Sequence, residues 1–347
     1  MSEQYLLSVQ DLHTTFRTDS GEVQAVNGVS FNLNPGEILG IVGESGSGKS
    51  VTAYSVMQIL ADNGRIKSGH ILYKGEDLTT WSEKQMSHFR GKCCSIVFQD
   101  PMTSLNPVFT IGSQLGEAIR LHTNRRGKQV RERAIEMLEL VGINEPEKRI
   151  KQYPFELSGG MRQRVMIAMA LACEPDILIA DEPTTALDVT IQAQILELMQ
   201  DLQKKLGMAV ILVTHDLGVI ADMCDNIIVM YGGRICERGT AREIFYNPKH
   251  EYTKGLLRSI PNVNNMKKKL VPIAGTPINM LNLPAGCAFC TRCDAAIVEA
   301  LSPGPSEPMT TAIFLISRSA GSHRTFASSR RAIATLSKPF SCRSACH

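Results

Sequence analysis

At 347 residues the chain exceeds one average domain and has room for a full α/β core plus an appendage. Hydrophobic residues make up 43% and charged residues 20%, which excludes a disordered chain and supplies enough apolar surface to bury a core. The formal net charge of +3 comes without a concentrated basic face, which argues against a nucleic-acid partner, and no run approaches the roughly 20 apolar residues that span a bilayer.

The first predicted elements are short strands at residues 5–9 and 23–31, parted by the turn signal Asp19-Ser20-Gly21, and together they read as an antiparallel sheet. Residues 38–42 form a compact apolar strand that enters a Gly-rich loop and then a helix-compatible stretch over 50–60. A strand over 95–98 ends at Gln99, and the helix-rich, polar-faced stretch 110–140 belongs to an inserted helical subdomain over residues 105–165. Helices over 162–172 and 190–206, the second stopped by Gly207, flank the buried strand 177–180, and 209–213 is the next strand. Fully apolar runs between helices imply a parallel sheet covered on both faces.

A β pair turns at Gly232-Gly233, and the core closes at 259–261, which sets the main domain at 1–260. Residues 261–296 are a Pro- and Gly-punctuated extension, whereas 297–347 are rich in Ser, Ala and Arg without sustained periodicity, the composition of a disordered tail. The polar start Met1-Ser2-Glu3-Gln4 has no signal-peptide shape, so the chain is expected in the cytoplasm. There, Cys93, Cys94, Cys173, Cys224 and Cys236 read as buried thiols rather than disulfides.

Three stretches carry chemistry. Gly43-Glu44-Ser45-Gly46-Ser47-Gly48-Lys49-Ser50 has P-loop spacing between a strand and a helix. Its glycines turn successive backbone N–H groups inward around phosphate oxygens, and the helix adds its positive N-terminal end. Lys49 is placed to reach the β- and γ-phosphates, and Ser50 to ligate Mg²⁺. The strand over 177–180 delivers Asp181 and Glu182 at its C-terminal end. A carboxylate buried there needs a cation or an ordered partner, so Asp181 suits the Mg²⁺ shell and Glu182 suits polarising the water that attacks the γ-phosphate. Leu157-Ser158-Gly159-Gly160-Met161-Arg162-Gln163-Arg164 puts a Ser-Gly-Gly turn at a helix start, a second phosphate-binding geometry where one nucleotide needs only one.

That last run resembles the signature motif of ABC ATPases. The resemblance implies a P-loop ABC ATPase fold: a RecA-like parallel-sheet core, an N-terminal antiparallel β-subdomain, a helical signature subdomain and an irregular C-terminal extension. It implies a head-to-tail dimer with a homologous ATPase subunit, in which Ser158, Gly159, Gly160 and Gln163 close over the ATP held by the partner's P-loop. Gln99 resembles the Q-loop glutamine that approaches Mg²⁺ and water, so the implied Mg²⁺ shell is Ser50, Gln99 and Asp181. Asp188 resembles the D-loop residue, and His215, after a strand, the switch histidine that contacts the γ-phosphate and acts with Glu182 in hydrolysis. Phe16 resembles the aromatic that stacks on adenine, while an aromatic in an early strand also reads as a core residue. Force would then pass to two transmembrane permease subunits through the cleft near Gln99.

Phe98-Gln99-Asp100-Pro101-Met102-Thr103-Ser104-Leu105-Asn106-Pro107 resembles the extended Q-loop of the oligopeptide, dipeptide and nickel importer subfamily. The stretches 246–257 and 271–277 resemble its C-terminal extension. The implied protein is an ATP-hydrolysing motor on the cytoplasmic face of the membrane, serving uptake of oligopeptides or dipeptides delivered by an extracytoplasmic binding protein, with nickel or another small solute as the alternative cargo. The short interval from P-loop to signature excludes a repair-type ABC ATPase, and a single P-loop excludes a two-cassette translation factor.

In that subfamily the extension ends in a Cys-rich segment that can hold an iron–sulfur cluster. Cys287, Cys290 and Cys293 resemble its start, but Ala300 stands where a further cysteine belongs and the only Trp is Trp81. The segment is therefore either a damaged site of free thiols or, with Cys342 or Cys346, a zinc or cluster site. A change of reading frame would produce the foreign composition after residue 296.

Overall fold

The structure, a computed structural model, describes residues 5–185, 187–259, 272–284 and 286–296. Strands β1 (Leu7–Thr18) and β2 (Gly21–Leu33) pair as an antiparallel hairpin in which Leu7 faces Leu33 and Thr18 faces Gly21, as the turn signal predicts. Then follow β3 (Ile38–Val42), α1 (Lys49–Met57), β4 (Gly64–Tyr73), β5 (Glu76–Asp77), α2 (Glu83–Lys92) and β6 (Cys94–Val97). A helical run holds α3 (Pro101–Ser104), α4 (Ile111–His122), α5 (Lys128–Leu140), α6 (Pro146–Arg149) and α7 (Gly159–Leu171). The α/β pattern resumes with β7 (Ile177–Asp181), α8 (Val189–Leu206), β8 (Ala209–Thr214), α9 (Leu217–Met223), β9 (Asn226–Tyr231), β10 (Arg234–Thr240), α10 (Ala241–Tyr246) and α11 (Glu251–Arg258).

The strands form two sheets. An antiparallel one has the order β2-β1-β4-β5, and a six-stranded one has the order β10-β9-β3-β8-β7-β6, parallel except for the β9–β10 hairpin. The continuous apolar runs of β3, β7 and β8 are explained by burial on both faces. Leu178, Ala180, Val210 and Leu212 point to the helical side, whereas Ile177, Ile179, Ile211 and Val213 point to the antiparallel sheet. Parallel register lines up the strand ends: Val42 lies beside Thr214, Asp181 beside Val213 and Val97 beside Ala180. The loops after four strands therefore open on one edge, where open α/β sheets bind their ligands.

The stretch predicted as helical over 110–140 is two helices. Thr123 closes α4 by donating to Ile119, and Gly127, at φ +52°, supplies a left-handed turn that a helix cannot continue through. Cys94 and Cys224 are buried as expected, but Cys93 and Cys173, just past the ends of helices, and Cys236, on the edge strand β10, are half-buried.

The core does not close at 259–261. Ala288 and Phe289 return to it at 3% exposure each, and the Phe289 ring lies 5.3 Å from Tyr231 and 5.2 Å from Tyr252, centre to centre. Among the described residues of the extension the only helical turn is the 3-10 segment Cys290–Arg292, so the segment is irregular yet docked. Phe289→Ala is expected to cost about 3 kcal/mol of that docking, the loss typical of truncating a buried Phe. Trypsin should then cut faster at Arg292, whose side chain is only 4% exposed in the docked form, and an unchanged cleavage rate would contradict the docking. The tail 297–347, with Cys342 and Cys346, lies outside the described residues.

Candidate functional site

The loop between β3 and α1 is forced into its shape by contact on both sides. A Cβ at Gly43 would lie 2.1 Å from the Met230 carbonyl oxygen, and one at Gly48, at φ +99°, 2.4 Å from that of Ala25. Only glycine lets this backbone press against β9 and β2 and curl into the start of α1. Lys49 follows at 4% exposure, and its Nζ donates to the carbonyl oxygens of Gly43 at 2.8 Å and Glu44 at 2.9 Å. Burial pulls its pKa down, opposed by the charges of Glu182, Asp181 and Glu44. Ser47 Oγ is buried without a hydrogen-bond partner, an orphan that a phosphate oxygen would satisfy.

Opposite the loop, β7 ends in Asp181, which is 2% exposed and accepts a hydrogen bond from Ser50 Oγ at 2.8 Å, with the Tyr54 hydroxyl beside it favouring the charged form. Burial raises its carboxyl pKa above the ordinary value, and the hydrogen bonds only partly offset this. An oxygen donor set around a desolvated carboxylate fits a hard divalent cation, so Ser50 and Asp181 suit Mg²⁺. Gln99, two residues past β6, joins the same group by donating from Nε2 to Glu182 Oε2 at 2.8 Å.

Glu182 is the hub of the arrangement. Its backbone is left-handed at φ +47°, a conformation costing roughly 1 kcal/mol for a residue with a Cβ. The turn is fixed by its N–H donating to Val213 at 2.8 Å, and strain of this kind gathers at functional sites. Its carboxylate meets Gln99, Thr185 Oγ1 at 3.1 Å and His215 Nδ1 at 3.1 Å. Together the residues of 43–51, Gln99, Glu182, Thr185 and His215 line one cleft of about 740 Å³, a size that takes a nucleotide. Leu256, Ser259, Pro272 and Ile273 complete its wall.

Other predicted residues stand outside this cleft. Phe16 lies half-buried on β1 against Gly64 and does not line it. Ser158 is exposed at the N-cap of α7, with its Oγ accepting from the Met161 N–H at 3.3 Å. The turn packs on the start of α8, since a Cβ on Gly160 would come within 2.9 Å of Ile191 and one on Gly159 within 3.6 Å of Leu187. Asp188 caps α8 by accepting from Ile191 at 3.0 Å, so the signature and D-loop positions are neighbours. Gln163 is 1% exposed and its buried Nε2 has no partner.

For the cysteine segment, which the sequence leaves as either free thiols or a metal site, the described residues bring no three-ligand set of His, Cys, Asp or Glu together. Cys287 Sγ lies 3.5 Å from His250 Nε2. Burial also raises the Cys293 thiol pKa, which disfavours the thiolate a metal needs. The further ligands that the sequence offers, Cys342 and Cys346, lie outside the described residues.

Sequence reasoning missed Tyr54, Thr185, Tyr252 and Arg292. Thr185 carried a local signal, three residues beyond Glu182 on the same turn. Tyr54 also lay near at hand, one turn past Ser50 on α1, whereas Tyr252 and Arg292 reach the site only through tertiary packing, Arg292 from 248 positions away.

The ABC transporter family profile matches residues 26–185, and the profile described as the oligopeptide/dipeptide transporter C-terminal region matches residues 236–299. The chain is 55% identical over 294 residues to the dipeptide transport ATP-binding protein DppD of Bacillus subtilis, covering 84% of this chain and 88% of that protein. It is 50% identical over 307 residues to the oligopeptide transport ATP-binding protein OppD of Salmonella typhimurium, covering 86% and 91%. CbiO1 from Clostridium perfringens, part of the ABC transporter complex cbiONQ, superposes with a TM-score of 0.61 at 31% identity over 71% of this chain and 92% of that one. The dimeric cassette MJ0796 bound to ADP and phosphate also gives 0.61, at 27% identity over 68% and 99%. A strand-end cleft of P-loop, buried aspartate, glutamate hub and histidine, in a sequence this close to both relatives, means that the chain belongs to the ATP-binding subunits of oligopeptide and dipeptide ABC transporters.

Proposed function

We propose that this chain is the ATP-hydrolysing motor of a peptide importer, working at the cytoplasmic face of the membrane as one half of a head-to-tail ATPase dimer. The observation that carries the chemistry is the Glu182 carboxylate, held by Gln99, Thr185 and His215 across the cleft from Lys49 and the P-loop.

The P-loop N–H groups and Lys49 hold the β- and γ-phosphates, and Ser47 Oγ gains the partner it lacks. Glu182 takes a proton from the water that attacks the γ-phosphorus. The bond from that phosphorus to the β–γ bridging oxygen breaks, and ADP and phosphate leave. Mg²⁺ bound by Ser50, Asp181 and Gln99 would neutralise the charge on the phosphate oxygens. His215 orients Glu182 and lies within reach of the phosphate.

The exposed Ser158 turn, remote from its own chain's cleft, supports its use on the ATP of a homologous subunit, as does the dimeric form of the MJ0796 cassette. Ser158→Arg is accordingly expected to leave ATP binding by the single chain intact while slowing phosphate release by about 10²-fold, the usual loss for one transition-state donor. Equal turnover would remove the signature from the mechanism.

The names of the two relatives, dipeptide and oligopeptide transport ATP-binding proteins, support peptide cargo, and such cargo calls for two permease subunits and an extracytoplasmic binding protein as partners. The direct test is expression in Bacillus subtilis lacking DppD. Restored growth on a dipeptide as sole source of a required amino acid is expected, and failure with stable, membrane-associated protein would reject this cargo.

A further inference from the structure

The ATP cleft has a wall that the chain builds from its far end. Arg292 reaches the second residue of the P-loop with both arms of its guanidinium: Nη1 donates to Glu44 Oε2 at 2.6 Å and Nη2 to Oε1 at 3.1 Å. The arginine is itself held tightly. Its side chain is 4% exposed, Nε donates to the Ala274 carbonyl at 2.8 Å, and Nη2 donates to that of Ile273 at 3.2 Å. Its guanidinium carbon stands 5.7 Å from the centre of the Tyr231 ring and 5.8 Å from that of Phe289. The Tyr252 hydroxyl accepts the Glu44 N–H at 2.8 Å. Both the backbone and the side chain of Glu44 are thus fixed by residues beyond the P-loop core.

Glu44 needs such a hold. It lines the cleft and is one of the negative charges that act on Lys49, so a loose carboxylate there would oppose a triphosphate. A planar, permanently charged fork matches it better than any other side chain.

We propose that Arg292 is a positioning residue of the ATP site, neutralising Glu44 and fixing its place in the P-loop, so that the C-terminal extension sets the affinity for ATP. The inference rests on the assignment of the cleft to ATP and goes beyond it by giving the extension a part in nucleotide binding.

The test is MgATP binding and steady-state hydrolysis by the full chain, for the parent, Arg292→Gln, and Arg292→Gln combined with Glu44→Gln. Arg292→Gln should raise Kd and KM for MgATP about tenfold with kcat within about twofold, the pattern of lost ground-state binding rather than lost chemistry. Adding Glu44→Gln should recover most of that loss, because no unpaired carboxylate remains. A single variant that binds like the parent, or a double variant no better than the single, overturns the proposal and leaves Arg292 a packing residue. If Arg292→Gln does not fold, Arg292→Lys, which keeps the charge without the fork, should show a smaller rise in KM, and an unchanged KM overturns the proposal equally. Absence of MgATP binding in the parent overturns the ATP assignment and this inference with it.

Discussion

Glu182→Gln is expected to hold MgATP as tightly as the parent chain while phosphate release slows by about 10²-fold or more, the contribution of a well-placed general base. The substitution preserves shape. Its amide oxygen can still accept from Gln99 and Thr185, which both reach Oε2, and its amide nitrogen would face His215. The left-handed backbone at 182 is unaffected, since glutamine has the same Cβ as glutamate. What disappears is the carboxylate that accepts the proton of the attacking water. Retained binding with lost turnover separates chemistry from folding, and turnover equal to the parent's would remove Glu182 from the role of base.

Lys49→Ala should act in the opposite way. Loss of Lys49, the one lysine lining the cleft among the described residues and a donor of charge-assisted hydrogen bonds to phosphate, is expected to weaken ATP binding by about 10²-fold, since such bonds contribute roughly 1.5–3 kcal/mol each. Without nucleotide the variant should be no less stable than the parent. Lys49 is desolvated and held by two neutral carbonyls, and the charges of Glu182, Asp181 and Glu44 offset its burial only in part, so its removal relieves a net penalty. The measurement is the thermal midpoint with and without MgATP. The variant should keep the parent's midpoint and lose the ligand-induced rise, because stabilisation by a ligand scales with its affinity. A midpoint that still climbs with ATP would contradict the part given to Lys49.

Much of this was legible in the sequence, because the chemistry is carried by local patterns. Gly43 to Ser50 fix a backbone cradle within eight neighbouring positions, and Asp181-Glu182 at the end of a fully apolar strand can sit only where a parallel sheet opens. The residues 246–257 and 271–277 pointed to the extension before its docking was seen. Periodicity did not reveal that Gly127 splits the helical stretch, because α4 and α5 keep similar amphipathic patterns on either side of it. Nor could it show that the extension folds back. Phe289 stands alone in an irregular segment with no period to read, and its partners Tyr231 and Tyr252 come from β9 and α11. Phe16 could be given either role from sequence, and the structure places it against Gly64 outside the cleft lining. The cysteine run looked like the start of a ligand set, yet spacing alone did not bring three ligands together among the described residues.

A motor subunit must hydrolyse the ATP in this cleft rather than merely hold it. The most direct measurement is a single turnover, with purified chain in excess over γ-labelled ATP, followed with Mg²⁺ and with a chelator. Conversion of the bound ATP to ADP and labelled phosphate is expected only with the divalent ion present, and none in Glu182→Gln. Bound ATP that stays intact in the parent chain with Mg²⁺, or that is hydrolysed as fast in Glu182→Gln, would contradict the part given to this cleft.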